Sequence, residues 1–316
     1  MIDADEAEQQ TLEGLAKRAG IVLLYHGTFS SPPAVLAQGL HNVAPGLLFR
    51  QLETLSRYFR FLPLDEYCMA ADRTGLAAVT ADDGYRCITD EALGVFEALQ
   101  IPLTIFVNRT FMDGGIFWRD KIRFIINTHR VADFEHRHSD KFFREPDQPF
   151  YRYTKDPRNN SRVVESALDD FLTEIELPTD LQRIYTPASA GLLAHPLLSY
   201  GSHSLNHYVM ASLNEAEQWR EIDENRRFLN NFSKIQKTSI FSVPFGGNGD
   251  YNAATIRLAM NAGHSGILLS GGIVQPGAQS GFEVLPTYQR VMLRENEMVT
   301  TLLHADKRGR QTERSD

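Results

Sequence analysis

The sequence predicts an α/β protein organised around a parallel β-sheet, and three observations predict it. Short apolar runs recur along the chain, each ending abruptly in polar residues, and amphipathic helical stretches lie between them. That alternation is the signature of parallel β/α architecture. At 316 residues, with 42% hydrophobic and 23% charged content, the chain can bury one large core and is neither fibrous nor disordered.

The predicted strands follow in order. Ile21 to Tyr25 leads into His26-Gly27, and Leu76 to Thr80 leads into Asp82-Asp83-Gly84. Leu103 to Val107 leads into Asn108, Ser239 to Val243 into Pro244-Phe245-Gly246-Gly247, and Gly266 to Leu269 into Ser270-Gly271-Gly272. Continuous apolar runs of this length suit strands buried on both faces. Two helices are legible between them. After Thr89, with Asp90 and Glu91 in a first turn, Ala92, Val95, Phe96 and Leu99 share a face that Pro102 terminates. Ser212-Leu213-Asn214-Glu215 reads as a capping box opening a helix with Trp219, Ile222 and Leu229 on one side. In such folds chemistry collects at the carboxyl ends of strands, where the polar residues named above stand.

The stretch from about 110 to 195 breaks the rhythm. It is charged and aromatic, with a helical segment around Val163 to Ile175, and reads as a long helical and irregular insertion, either part of a substrate cleft or a surface subdomain. The expected organisation is an N-terminal extension over 1–20, one domain over 21–304 and a flexible tail over 305–316. The cluster His129, His136 and His138 lies among Arg, Asp and Glu and reads as a solvated face.

Charge and composition exclude several functions. A net charge of -8 argues against a nucleic-acid binder. Cys68 and Cys87 give neither a disulfide framework nor a CxxC metal motif. No apolar run is long enough for a transmembrane segment. The acidic start, Met1 to Glu8, is unlike a signal peptide, so the expected location is the cytoplasm, with work at the inner face of the membrane as a variant.

Two signals carry chemistry. His203-Ser204-Leu205-Asn206-His207 spaces two imidazoles so that on a helical turn both would reach one metal. Thr80-Ala81-Asp82-Asp83-Gly84-Tyr85 sets adjacent carboxylates at a strand end, able to divide into a ligand and a base. Alone, the first arises by chance among ten histidines and the second is an ordinary turn. Together, two histidines and one carboxylate make a hydrolytic metal set, with the other carboxylate free as a base. Paired acids presenting Mg²⁺ to a nucleotide-sugar transferase leave the histidines without a task.

These segments resemble the polysaccharide deacetylase family, also called the NodB-homology or carbohydrate esterase family 4 group. The resemblance runs from about Ile21 to Leu303 and includes Ile101 to Val107 and the turn Val243-Pro244-Phe245-Gly246. It implies a distorted (β/α)7 barrel and removal of an N-acetyl group from an amino sugar of a poly- or oligosaccharide; the start unlike a signal peptide adds a lipid- or nucleotide-linked precursor as an expected substrate. It implies that Asp83, His203 and His207 hold one divalent metal, Zn²⁺ by default, with Co²⁺, Ni²⁺ or Fe²⁺ also accommodated. Asp82 would be the general base, and the backbone N–H of Tyr85 would help hold the oxyanion.

Two departures matter. The arginine common two residues before the third-motif proline is Ser242 here, and Arg290 is the expected replacement that orients Asp82. The usual C-terminal Leu-x-His acid has no secure equivalent. Instead Leu23-Leu24-Tyr25-His26 resembles the circularly permuted branch that includes poly-N-acetylglucosamine deacetylases, which makes protonated His26 the expected acid and His304 its rival. A glycan O-acetyl esterase and an inactive sugar-binding homologue are the alternatives.

Overall fold

The computed structural model describes residues 4–277, 285–294 and 297–312. Strands β1 (Ala19–Tyr25), β2 (Leu76–Ala81), β3 (Leu103–Val107), β4 (Leu198–Ser202), β5 (Gln236–Ser242) and β6 (Gly266–Leu269) pair in that order, each pair parallel. Strand β7 (Thr287–Gln289) extends the sheet beside β6, and β8 (Val291–Met292) pairs with β1 at the opposite edge. Only Arg290 separates β7 from β8, so one extended segment reaches both edges and the sheet curls into a nearly closed barrel. Counted once, that segment is the seventh strand of the expected barrel.

Alternation along the strands divides the core. Ile21, Leu23, Tyr25, Ala77, Val79, Leu103 and Ile105 pack outward with Leu48, Leu52, Leu55 and Phe96 of the surrounding helices. Val22, Ala78, Phe106, Ile240, Leu268 and Tyr288 meet on the inside. Every residue of β1, β2 and β3 is buried, which explains why these strands read as unbroken apolar runs.

Several expected boundaries shift. Asp90 and Glu91 do not open a helix, because the N–H groups of both Glu91 and Ala92 bond back to Cys87 and close a separate turn; the helix is Leu93–Leu99. The capping box lies two residues downstream of its expected start, between Asn214 and Glu217, and opens a helix over Glu215–Asn230. Ser212 instead donates to the Val209 carbonyl in a tight turn.

The ends of the described chain are built into the fold. A helix over Ala4–Ala16 buries Leu12 and Leu15, and Arg18 pairs with Asp306 at 2.7 Å. The flexible tail expected from residue 305 is therefore corrected as far as Thr312. A helix covers Met298–Thr312; Leu302 and Ala305 pack into the core, and buried Asp306 is neutralised by Arg18 and Arg310. The tail residues 313–316 lie outside the described residues. No helix among the described residues is long and apolar enough to cross a membrane.

Between Val107 and Leu198, where the sequence predicts the insertion, the longest helices are Trp118–Asn127, Val131–His138 and Ser161–Leu172. They enclose an aromatic core that includes Phe117, Trp118, Phe134, Phe150, Phe171 and Tyr185. His138 departs from the expected solvated face: it is buried, its ring 5.0 Å from that of Phe134, while His129 and His136 are exposed.

Candidate active site

Because the strands are parallel, their carboxyl ends open onto one mouth, where His26, Asp82, Asp83, His203 and His207 line a single cavity of about 850 Å³. The turn after β2 is tight. Asp83 and Gly84 both take left-handed backbone conformations, with φ of 70° and 68°, so consecutive residues turn at once and both carboxylates stay at the strand end. A side chain at Gly84 would press on Val107 at 3.1 Å.

Asp82 is fixed by Arg290. The guanidinium donates from both terminal nitrogens, one to each carboxylate oxygen at 2.8 Å, and both side chains are buried. Ser242, where the family pattern has arginine, accepts from Arg290 at 2.9 Å and lies 3.3 Å from both Asp82 oxygens. The small serine leaves room for a guanidinium arriving from the barrel-closing segment. Burial alone would raise the Asp82 pKa, but Arg290 and His203 outweigh it and hold the carboxyl at about 2.

Asp83, His203 and His207 offer ligand atoms within 4.8 Å of one another. The Nε2 atoms of His203 and His207 lie 3.6 and 3.4 Å from the same oxygen of Asp83. That Asp83 oxygen is buried without any hydrogen-bond donor, and an unpaired buried carboxylate oxygen is costly unless a cation meets it. Burial, and then Asp82, push the Asp83 carboxyl well up, while burial keeps both histidines below their ordinary range and so neutral. His203 donates from Nδ1 to the Ser242 carbonyl at 2.9 Å, which leaves Nε2 with its lone pair toward Asp83. The set fits a divalent metal.

The expected reason for the histidine spacing needs correction. His203 to His207 is not a helical turn. Ser204 and His207 both have positive φ, 67° and 58°, and the Ser204 hydroxyl accepts from the His207 N–H at 2.9 Å. The imidazoles converge because the loop doubles back: their ring centroids lie 4.5 Å apart. Asn108, at the end of β3, donates to the carbonyls of both His203 and Ser204 and pins that loop.

His26 follows β1 and faces the same cavity. Its Nδ1 lies 3.2 Å from Nδ1 of His41, and His41 Nε2 lies 2.6 Å from the Leu293 carbonyl. A carbonyl only accepts, so His41 carries its proton on Nε2 and accepts from His26 through Nδ1. Burial and then His41 lower the His26 pKa well below its usual range. His26 therefore rests neutral, because an imidazolium turned in from solvent beside a second imidazole is disfavoured. Sequence reading missed His41, whose relation to His26 exists only after the loop between them folds back.

The Tyr85 ring takes no part in lining the cavity; its hydroxyl lies 3.1 Å from both oxygens of buried Asp120. His304 is exposed on the helix Met298–Thr312 and lies away from the cavity lining. The insertion supplies one wall through Phe117, Arg119, Arg123, Tyr151 and Lys155, so it is both a packed subdomain and part of the cleft. Sequence reading assigned none of these five side chains a role.

Residues 192–267 match the sequence profile of a family described as polysaccharide deacetylase. Over that stretch, about a quarter of its length, the chain is similar to that family. The match spans His203, His207 and the Val243 to Gly246 turn, while Asp82, Asp83, His26 and Arg290 stand outside it. No curated protein matches the chain. Among solved structures, the Streptococcus pyogenes deacetylase PplD in complex with acetate is 14% identical, with a TM-score of 0.54 over 91% of this chain and 97% of that one. IcaB from Ammonifex degensii gives the same values. A de-N-acetylase from Aggregatibacter actinomycetemcomitans is 12% identical, with a TM-score of 0.52 over 91% of this chain and 99% of that one. At these identities the likeness is one of fold, the barrel of the polysaccharide deacetylase family.

Proposed function

We propose that this chain is a metal-dependent hydrolase that removes the N-acetyl group from an amino sugar of a poly- or oligosaccharide, releasing acetate. One observation carries the reading: a buried Asp83, His203 and His207 set shares a cavity with an Arg290-clamped Asp82 and with His26. A divalent ion held there, zinc by default, would act as a Lewis acid and lower the pKa of water.

The chain's own groups supply the rest. Asp82, ionised and held in one orientation, is the acceptor for the proton of the attacking water. The Tyr85 backbone N–H, at the end of the double left-handed turn, is the oxyanion donor. His26 protonates the departing sugar nitrogen, since an amide anion is too poor a leaving group. Because His26 rests neutral, it takes up a proton from solvent before giving it to the nitrogen, and Asp82 returns the proton it took from the attacking water to solvent, so the balance closes.

The test is acetate release from matched N-acetylated and O-acetylated oligosaccharides. Release from the amide substrates supports the reading. Release from the esters alone would make the protein a glycan esterase, and binding without any release would make it a sugar-binding homologue.

A further inference from the structure

The chain carries a net charge of -8, yet its catalytic cavity is lined by four basic side chains, Arg119, Arg123, Lys155 and Arg294, against two acids, Asp82 and Asp83. The acids are already engaged: Asp82 by Arg290, and Asp83 within the candidate metal set. Among the described residues, Arg123 is the one of the four that forms an ion pair with a carboxylate, Asp120. Among the described residues no carboxylate forms an ion pair with Arg119, Lys155 or Arg294. Asp250 draws on Lys155 electrostatically without pairing and accepts instead from the Gly247 N–H.

A fully buried guanidinium is expensive unless something anionic meets it. Arg119 is fully buried, and its Nε has no acceptor; its other nitrogens donate to the Thr154 hydroxyl and the Tyr151 carbonyl. It lies against the Tyr151 ring at 4.0 Å, and Lys155 Nζ lies 4.8 Å from the Phe245 ring on the same wall. The local field is strong enough that, against burial, Arg119 and Arg123 hold the Tyr151 hydroxyl at about 7. Lys155 is half-buried and Arg294 exposed, so these two can touch a ligand in the cavity that buried Arg119 also lines.

We propose that the cavity takes an N-acetylated amino sugar bearing a phosphate or diphosphate, with Lys155 and Arg294 contacting the phosphoryl oxygens and buried Arg119 adding to the field. This rests on the deacetylase reading for the reaction but not for the binding. A nucleotide-linked sugar and a lipid-linked sugar present the same phosphoryl chemistry, and the experiment separates them.

The experiment measures calorimetric binding and acetate release with the metal-loaded protein and five probes: UDP-N-acetylglucosamine, N-acetylglucosamine 1-phosphate, a short-chain polyprenyl diphosphate N-acetylglucosamine, UMP, and neutral N-acetylglucosamine oligomers. The phosphorylated sugars should bind at least about tenfold tighter than the neutral oligomers, with the preference falling as salt rises. In Lys155→Gln and Arg294→Gln the ratio of phosphorylated to neutral affinity should drop by about tenfold each. Higher affinity for the UDP sugar or the polyprenyl sugar names the natural carrier, and UMP binding as tightly as the UDP sugar would show nucleotide recognition instead. Equal affinity for neutral and phosphorylated probes overturns the proposal and leaves the deacetylase reading intact. A preference that survives both substitutions but vanishes on metal removal also overturns it, since the phosphate then sits on the metal. Phosphate-selective binding without acetate from any probe keeps this proposal and removes the deacetylase reading.

Discussion

Arg290 meets Asp82 fork to fork, two parallel 2.8 Å contacts between fully buried groups, at the one residue that interrupts the barrel-closing segment. The same guanidinium donates to Ser242 and Ser270, so residues at the ends of β2, β5 and β6 are tied to the segment that closes the ring. Barrel closure and the aim of Asp82 are thus one structural feature. Arg290→Ala leaves a buried carboxylate unpaired and should destabilise the fold by about 3–5 kcal/mol. Arg290→Lys keeps the charge but not the fork, and should fold, retain metal and lose about 10- to 100-fold in kcat. Thermal unfolding and steady-state rates check both; full turnover in Arg290→Lys would show that orientation of Asp82 is irrelevant.

Asp82→Asn keeps the shape of the side chain and removes its proton-accepting power. It should retain stoichiometric metal and lower kcat by about 10²- to 10⁴-fold. Metal analysis beside the rate decides the matter, because loss of the ion would mean that Asp82 and Asp83 have exchanged roles.

His41→Ala removes the acceptor that holds the His26 proton on Nδ1, together with a neighbour that lowers the His26 pKa. An acid works only while protonated, so activity falls as pH rises through its pKa. Raising that pKa should move the alkaline limb of the pH–kcat profile upward, with kcat reduced more than KM changes. His41→Asn, which can still accept a hydrogen bond, should recover part of the rate. An unmoved limb in both variants would remove His41 from the account.

Acid sensitivity has an origin far from the cleft. His264 is 5% exposed, donates from Nδ1 to the Ser239 carbonyl and is held at about 4, chiefly by burial. The unfolded chain binds a proton near 6.5, the folded chain only near 4, so the contribution is complete above about 6.5 and is lost as pH falls toward 4. At its largest it amounts to ~3 kcal/mol. Denaturant unfolding across this window should show a shallower pH slope for His264→Gln than for the parent; identical slopes would place the acid lability elsewhere.

Much of the barrel was legible because buried stretches of its strands read as apolar runs ending at Tyr25, Thr80, Val107, Val243 and Leu269, while β4, with its Ser199, Gly201 and Ser202, was not read as a strand. Arg290 was legible beside a predicted strand and the Ser242 departure, but not that it joins two short strands, 287–289 and 291–292, that close the barrel. Asp83, His203 and His207 were legible as a set, but not their geometry, since left-handed Ser204 and His207 depend on the Asn108 and Glu221 contacts rather than on local propensity. His41 and the basic wall were not legible: long-range folding, not spacing, brings Leu293 to His41 and Arg119 to Phe245.

The central claim is that Asp83, His203 and His207 hold a metal that the hydrolysis requires. Its most direct test is acetate release from N-acetylated sugars by purified protein, measured before chelation, after chelation and after stepwise return of zinc, with metal content determined at each stage. The account predicts one ion per chain, loss of acetate release with the ion, recovery in proportion to the zinc returned, and neither binding nor recovery in His203→Ala. Acetate release that persists in the metal-free protein would contradict it.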